Sequence, residues 1–158
     1  MHPEKSKIVY CKDSNRTESS SHVYFTFLGF TFQPRKALNK QDRLFTSFLP
    51  GVSKDALKRM RHTVRGWKLT RQTHVTLTAL AVQYNPVIQG WWNYCAAFYQ
   101  TAMLHIYQHI DRALERWARR KYKTLSGRRQ GSVQWLRKMK DAEPQLFHHW
   151  RAIGDTVG

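Results

Sequence analysis

Ser53-Lys54-Asp55-Ala56-Leu57-Lys58-Arg59-Met60-Arg61-His62-Thr63-Val64-Arg65-Gly66-Trp67-Lys68 carries two periodicities at once. Leu57, Met60, Val64 and Trp67 recur at i, i+3, i+7 and i+10, the spacing of one helical face, so they are read as core. Ser53 stands where an N-cap hydroxyl can accept a first-turn N–H. Lys54, Lys58, Arg61, Arg65 and Lys68 form a second stripe about 100° round the helix from the first. A solvated helix face ordinarily mixes charge signs to gain i,i+4 pairs, and here only Asp55 intervenes. The cationic stripe is therefore read as a surface for a polyanion.

Downstream, residues 72–111 contain no Lys or Arg, which predicts the centre of a helical bundle between two basic blocks. Val75 to Tyr84 fits a short helix, Asn85-Pro86 reads as its break, and Gly90 permits close approach before Trp91-Trp92-Asn93-Tyr94. These aromatics are assigned to packing rather than to base stacking. A longer helix is expected from about Gln100 to Lys123. Its apolar face is Met103, Ile106, Ile110, Leu114 and Trp117, with Arg112, Arg116, Arg119 and Lys123 nearly opposite. Arg120, Lys121, Arg128 and Arg129 extend the basic block through a break at Ser126-Gly127. A last apolar patch is expected at Val133, Trp135, Leu136 and Met139, then Leu146, Phe147 and Trp150 after Pro144.

Upstream, Ile8-Val9-Tyr10-Cys11 and Tyr24-Phe25-Thr26-Phe27-Leu28 read as strands, with a polar loop from Asp13 to Ser21 and a tight turn or bulge at Gly29 before Phe30-Thr31-Phe32. Aromatics on both faces suggest burial on both sides; the alternative, favoured for a fragment, is an edge hairpin covered by the rest of a larger sheet. Pro34 to Gly51, with two prolines inside and Pro50-Gly51 at its end, reads as a connector.

Composition narrows the class. In 158 residues, 41% hydrophobic and 13% aromatic content with six tryptophans requires a packed core and excludes a disordered tail. Twenty-seven Lys and Arg against ten Asp and Glu give a net charge of +17. Residues 1–35 hold five basic and three acidic side chains; the remaining twenty-two and seven lie in 36–158, so the polyanion surface belongs to the second part. Nucleic acid is the polyanion that such a surface fits, through counterion release. No apolar run approaches the ~18 residues of a membrane span, so no membrane partner is expected. Cys11 and Cys95 belong to no Cys-x-x-Cys pattern, which points to a reducing compartment. Met1-His2-Pro3-Glu4-Lys5 has no secretory character and has the register of an internal stretch.

Enzymatic readings find little to build on. His105 and His109 have the four-residue spacing of a zinc pair, but no third ligand or general base accompanies them. Asp111 and Glu115 share a helical side that could hold a divalent ion, yet Arg112, Arg116 and Arg119 are placed to pair with them. No catalytic residue and no metal ligand is assigned.

At this point a resemblance enters. His2-Pro3-Glu4-Lys5-Ser6-Lys7-Ile8-Val9-Tyr10-Cys11-Lys12-Asp13, followed by Phe25-Thr26-Phe27-Leu28-Gly29-Phe30-Thr31-Phe32-Gln33-Pro34-Arg35, resembles the final palm block of bacterial group II intron reverse transcriptases. Asn85-Pro86-Val87-Ile88-Gln89-Gly90-Trp91-Trp92-Asn93-Tyr94 resembles the signature of their maturase-specific region, also called domain X or the thumb. Arg116-Trp117-Ala118-Arg119-Arg120-Lys121-Tyr122 and Leu146-Phe147-His148-His149-Trp150 complete the pattern. Trp92 and Cys95 stand where Tyr is common in the family. The sequence has no adjacent Asp pair, which polymerisation in this family uses to hold two cations. Fingers, most of the palm, the N-terminal RNA-anchoring segment and an endonuclease domain are not recognised either.

The resemblance implies an α+β chain divided as a palm-end hairpin (1–35), a linker (36–52), a three-helix maturase domain or thumb (53–125) and a helical extension (126–158). It implies a protein that binds group II intron RNA and stabilises its splicing-competent fold, contacts the template–primer duplex, and performs no catalysis within these residues. No cofactor is expected, Mg2+ serving only the polymerase domain and the RNA. The remainder of the reverse transcriptase, if supplied separately, is a further expected partner, and the setting is the bacterial cytoplasm beside nucleoid or RNA. The alternative is a generic nucleic-acid-binding thumb with no splicing role. The candidate RNA-binding residues are Lys54, Lys58, Arg61, Arg65, Lys68, Arg71, Arg112, Arg116, Arg119, Arg120, Lys123, Arg128 and Arg129.

Overall fold

The structure, a computed structural model, describes residues 9, 23–38, 44–95 and 100–154. The chain is α+β and divides into two compact units, Met1–Leu57 and Lys58–Gly158. The first holds a three-stranded antiparallel sheet in the order β1-β2-β3: β1 Phe25–Phe27, β2 Phe30–Leu38 and β3 Leu44–Val52. Of the expected strand Ile8–Cys11, all but Val9 lies outside the described residues, as do Asp13 to Ser21.

Leu28 and Gly29, at φ of 48° and 80°, make the two-residue turn between β1 and β2. Positive φ at both positions matches the twist of a hairpin, and glycine takes the second without a steric penalty. Across this hairpin Phe25 stacks on Phe32 with ring centroids 4.7 Å apart, and the Thr26 and Thr31 hydroxyls meet at 3.2 Å. Tyr24, Phe27 and Leu28 are exposed, so burial on both faces is not found at β1.

The expected connector over Pro34 to Gly51 is instead the body of the sheet, with Pro34 opposite Phe48 and Pro50 opposite Phe32. Proline removes one ladder donor, and both positions bear the loss because of where they lie. Beyond Phe32, β2 has β3 as its described neighbour and nothing of β1, while β3 lies at the edge of the sheet among the described residues. Sequence punctuation at these prolines was real chemistry read in the wrong context.

Helix α1, Lys54–Gly66, starts where expected: Ser53 Oγ accepts the Ala56 N–H at 3.1 Å. In the second unit Met60 and Val64 are buried, and Trp67, half-buried beyond the last turn, stacks on Tyr84 at 4.2 Å. A short 3-10 turn, Leu69–Arg71, leads to α2, Leu77–Cys95, for which Thr76 Oγ1 accepts the Ala79 N–H. Gln72 closes this crossing: its Nε2 donates to the Trp67 carbonyl and the Tyr84 hydroxyl, and its own carbonyl accepts Trp117 Nε1–H at 3.0 Å.

Helix α2 runs through Asn85-Pro86 without stopping, which corrects the expected break. Pro86 is exposed, so its ring needs no space in the core. Asn85 spends its side chain elsewhere: Nδ2 donates to the Leu146 carbonyl and Oδ1 accepts the His148 N–H, both at 2.9 Å. Helix α3, Gln100–Lys121, presents Met103, Ile106, Ile110, Leu114 and Trp117 fully buried, as its periodicity predicts. After a 3-10 turn at Lys123–Leu125 and Gly127 at φ 71°, α4 spans Arg129–Ala142 and α5 spans His148–Gly154. Leu136, Phe147 and Trp150 join the core, whereas Val133, expected there, is 45% exposed and Ser132 is buried instead.

Candidate nucleic-acid interface

Helix α1 sets Lys54, Lys58 and Arg65 in solvent and leaves Arg61 half-buried. Lys68, past the helix end, holds a left-handed backbone at φ 48°, and both it and Arg71 on the following 3-10 turn are exposed. On α3, Arg112, Arg116 and Arg120 are exposed, with His109 one turn before Arg112 and two before Arg116. Burial first, then the charges of Arg116, Arg65, Arg61 and Arg112, hold the His109 imidazole below its ordinary value, and its Nε2 is buried with no hydrogen-bond partner.

Among the described residues, none of the thirteen candidate cations is ion-paired to a carboxylate. An arginine cluster without counter-charges raises the local potential and is stabilised when an anion enters. The rest of the candidate set divides by role. Arg119 is half-buried and donates from Nη1 to Ser132 Oγ at 2.7 Å, tying α3 to α4. Lys123, Arg128 and Arg129 are exposed, the last two at the start of α4, whose first turn holds no acidic residue. Arg61 and Arg65 on α1 and Arg112 and Arg116 on α3 are therefore the candidates whose charges act on His109, and the other candidates are distributed over the surface.

Other polar groups near these faces serve the fold. Lys121, read from sequence as part of the basic block, donates to the carbonyls of Thr73 and Val75 at 2.8 and 2.6 Å, with its ammonium 5.3 Å from the Trp117 ring centre. Asp111 does not pair with Arg112, Arg116 or Arg119. It accepts Lys140 Nζ at 2.6 Å, Trp150 Nε1–H at 3.0 Å and His149 Nε2–H at 3.1 Å, so one carboxylate joins α3, α4 and α5.

Burial alone would raise the Asp111 carboxyl, but the His149 bond and the Lys140 charge outweigh it and hold the carboxyl below the ordinary range. Burial dominates at fully enclosed His149 and depresses it despite Asp111, so the contact is a neutral imidazole N–H donating to a carboxylate. The absence of a partner at His149 Nδ1 agrees with that tautomer. His109 was not among the sequence candidates and was visible only as half of a possible zinc pair. Among the described residues no group of three or more His, Cys, Asp or Glu is arranged for a metal, and no helix is long and apolar enough to cross a membrane.

No curated protein and no solved structure matches the chain. A family model described as group II intron, maturase-specific domain, matches residues 57–135, half of the sequence. That span begins within α1, contains α2 and α3, and ends within α4, and so includes Arg61, Arg65, Arg112 and Arg116. On this match the chain belongs to the group II intron maturase-specific domain family.

Proposed function

We propose that the helical unit binds folded group II intron RNA through the joined basic faces of α1 and α3 and stabilises the RNA in its splicing-competent form. The observation that supports this reading is that α1 and α3 each carry a row of cations, mostly exposed, with no carboxylate partner among the described residues. A row of like charges without counter-charges is unfavourable alone and favourable against phosphate. The protein supplies binding and preorganisation, the RNA the splicing chemistry, and these residues perform no catalysis. The three-stranded sheet is assigned to the edge of a reverse transcriptase palm, whose other parts would be partners or neighbours in the functional particle. The same basic faces would lie along template–primer during reverse transcription.

Competition decides how this surface is used. Labelled group II intron RNA bound to the protein is challenged with unlabelled intron RNA and with an unrelated RNA duplex of equal length. Intron RNA should compete at much lower concentration. Equal competition would make the domain a general nucleic-acid-binding thumb, and no binding at low salt would remove the RNA reading.

A further inference from the structure

Strand alternation puts Thr31, Gln33 and Arg35 of β2 on one face of the sheet, between Thr26 of β1 and Gly51 of β3, which both pair with Thr31. The stacked rings of Phe25 and Phe32 belong to the other face. A cavity of about 410 Å3 opens on the first face, lined by Thr26, Thr31, Gln33 and Arg35 together with Tyr24, whose ring is 58% exposed. Glycine at position 51 makes part of that space, because a Cβ there would run into the Arg35 guanidinium, 2.8 Å from its Cζ. The Arg35 side chain therefore lies back along the sheet, from its own pairing partner Ser47 towards the Thr31–Gly51 pair. The start of α1 closes one end. Ser53 donates its N–H to the Gly29 carbonyl at 2.8 Å, which sets Lys54 and Asp55 on the rim of the cavity.

We propose that this cavity holds one unpaired nucleotide of the bound RNA. The proposal rests on the RNA-binding reading and adds to it a site in the sheet unit. The volume falls in the range of small-ligand sites, ~300–1,000 Å3, which suits a single nucleoside. Unpaired bases are held against aromatic rings and flat guanidinium groups and are read along their edges. Tyr24 and Arg35 supply those two surfaces, and the Gln33 amide supplies a donor and an acceptor side by side, the combination that matches N6 and N7 of adenine. The Thr26 and Thr31 hydroxyls lie 3.2 Å apart, so one donates to the other and the accepting hydroxyl keeps a proton to give. At the rim the Lys54 ammonium suits the phosphate, while the Asp55 carboxylate suits a ribose hydroxyl or a base amino group. A bare inorganic anion would meet the Asp55 charge and leave Tyr24 and Gln33 unused. The lining therefore fits a nucleotide better than a free phosphate.

The test follows the methyl NMR signals of Thr26, Thr31 and Val52 in the full chain, since all three residues line the cavity. Adenosine 5′-monophosphate should shift them in a saturable way, and inorganic phosphate at the same concentrations should not. Gln33→Ala should weaken the nucleotide about tenfold, with the signals of the helical unit unchanged. Lys54→Gln should bring the monophosphate down to the affinity of adenosine. In a second arm, an RNA duplex with one bulged adenosine should bind at least about fivefold more tightly than the fully paired duplex, and Gln33→Ala should abolish that preference. Phosphate acting as the nucleotide does would reduce the cavity to an anion pocket, and nucleotide binding without a bulge preference would make it a site for free nucleotide. Either result overturns the proposal, as does a nucleotide without effect. Intron RNA that fails to bind the protein at low salt would instead sink the RNA reading itself.

Discussion

Asn85 and His148, far apart in sequence, are joined by a 2.9 Å hydrogen bond from the His148 backbone N–H to Asn85 Oδ1, while Asn85 Nδ2 donates to the Leu146 carbonyl. The amide thus satisfies two backbone groups at the entrance to α5. Asn85→Ala should destabilise the protein by about 1–3 kcal/mol, the range for leaving buried polar groups unpaired. Asn85→Asp keeps an acceptor for His148 but removes the donor to Leu146, and should fall between the two. Urea denaturation of the three proteins checks the order.

Asp111 has a different kind of partner set. Asp111→Asn removes the charge opposite Lys140 and weakens the acceptor for His149 and Trp150, for an expected loss of about 3 kcal/mol. Lys140→Met should cost less, since the carboxylate keeps two donors. A comparison of chemical denaturation midpoints at neutral pH would contradict this account if Lys140→Met proved the more damaging.

Acid should weaken the fold in two stages. His149 and His148 are both held below the ordinary value of 6.5, chiefly by burial, so the unfolded chain binds their protons first. Their stabilising contribution is complete above that value and diminishes as pH falls through it. Asp111, also depressed, contributes fully above the ordinary carboxylate value of 3.8 and loses its contribution as pH falls through its lower folded value. Melting temperatures should therefore fall between pH ~7.5 and ~5.5, and His149→Phe should flatten that decline while lowering the whole curve.

The two stripes of α1 make opposite demands on substitution. Replacing Lys58, Arg61 and Arg65 together by Gln should leave the melting temperature within a few degrees and lower RNA affinity. The log–log salt slope should shrink by about 2, at about 0.7–0.9 for each lost phosphate contact. Trp67→Ala, which removes the ring stacked on Tyr84, should instead destabilise by about 3 kcal/mol. Melts and titrations on the same preparations separate the two effects, and unchanged RNA binding by the triple variant would reduce the stripe to a solvated face.

Gly90 offers a gain rather than a loss. It is exposed within α2, and a Cβ there would meet nothing within 4 Å. Gly90→Ala should raise stability by about 1 kcal/mol through helix propensity. A stabilised variant with weakened RNA binding would place that face of α2 against the ligand.

The local grammar of the chain was legible where one residue decides the outcome. Ser53 capped α1 as its position indicates, and the repeat Met103, Ile106, Ile110, Leu114, Trp117 marked the buried side of α3. Proline gives no fixed signal at Pro34, Pro50 and Pro86: the first two fall in sheet strands, and at Pro86 α2 continues although one i→i−4 bond is lost. That is a property of neighbours, not of the dipeptide. Asp111 illustrates the other limit. Its nearest sequence cations at Arg112 and Arg116 are the obvious partners, yet helix packing brings Lys140, His149 and Trp150 to it. Arg112 and Arg116 are left without a carboxylate partner among the described residues.

The Asp111 and Asn85 bonds bear on where this protein can be cut. Kinship to the maturase domain ends at residue 135, but every partner of those two side chains lies between Leu146 and Trp150, apart from Lys140. A piece truncated at the family boundary would strand a carboxylate without its donors and uncover the apolar surface that Phe147 and Trp150 occupy. Such a piece would be prone to aggregate, and its failure to bind RNA would say nothing about the arginines. The cooperative unit is thus longer than the span matched by the family, and its last turn, although remote in sequence from the basic faces, is a condition for presenting them.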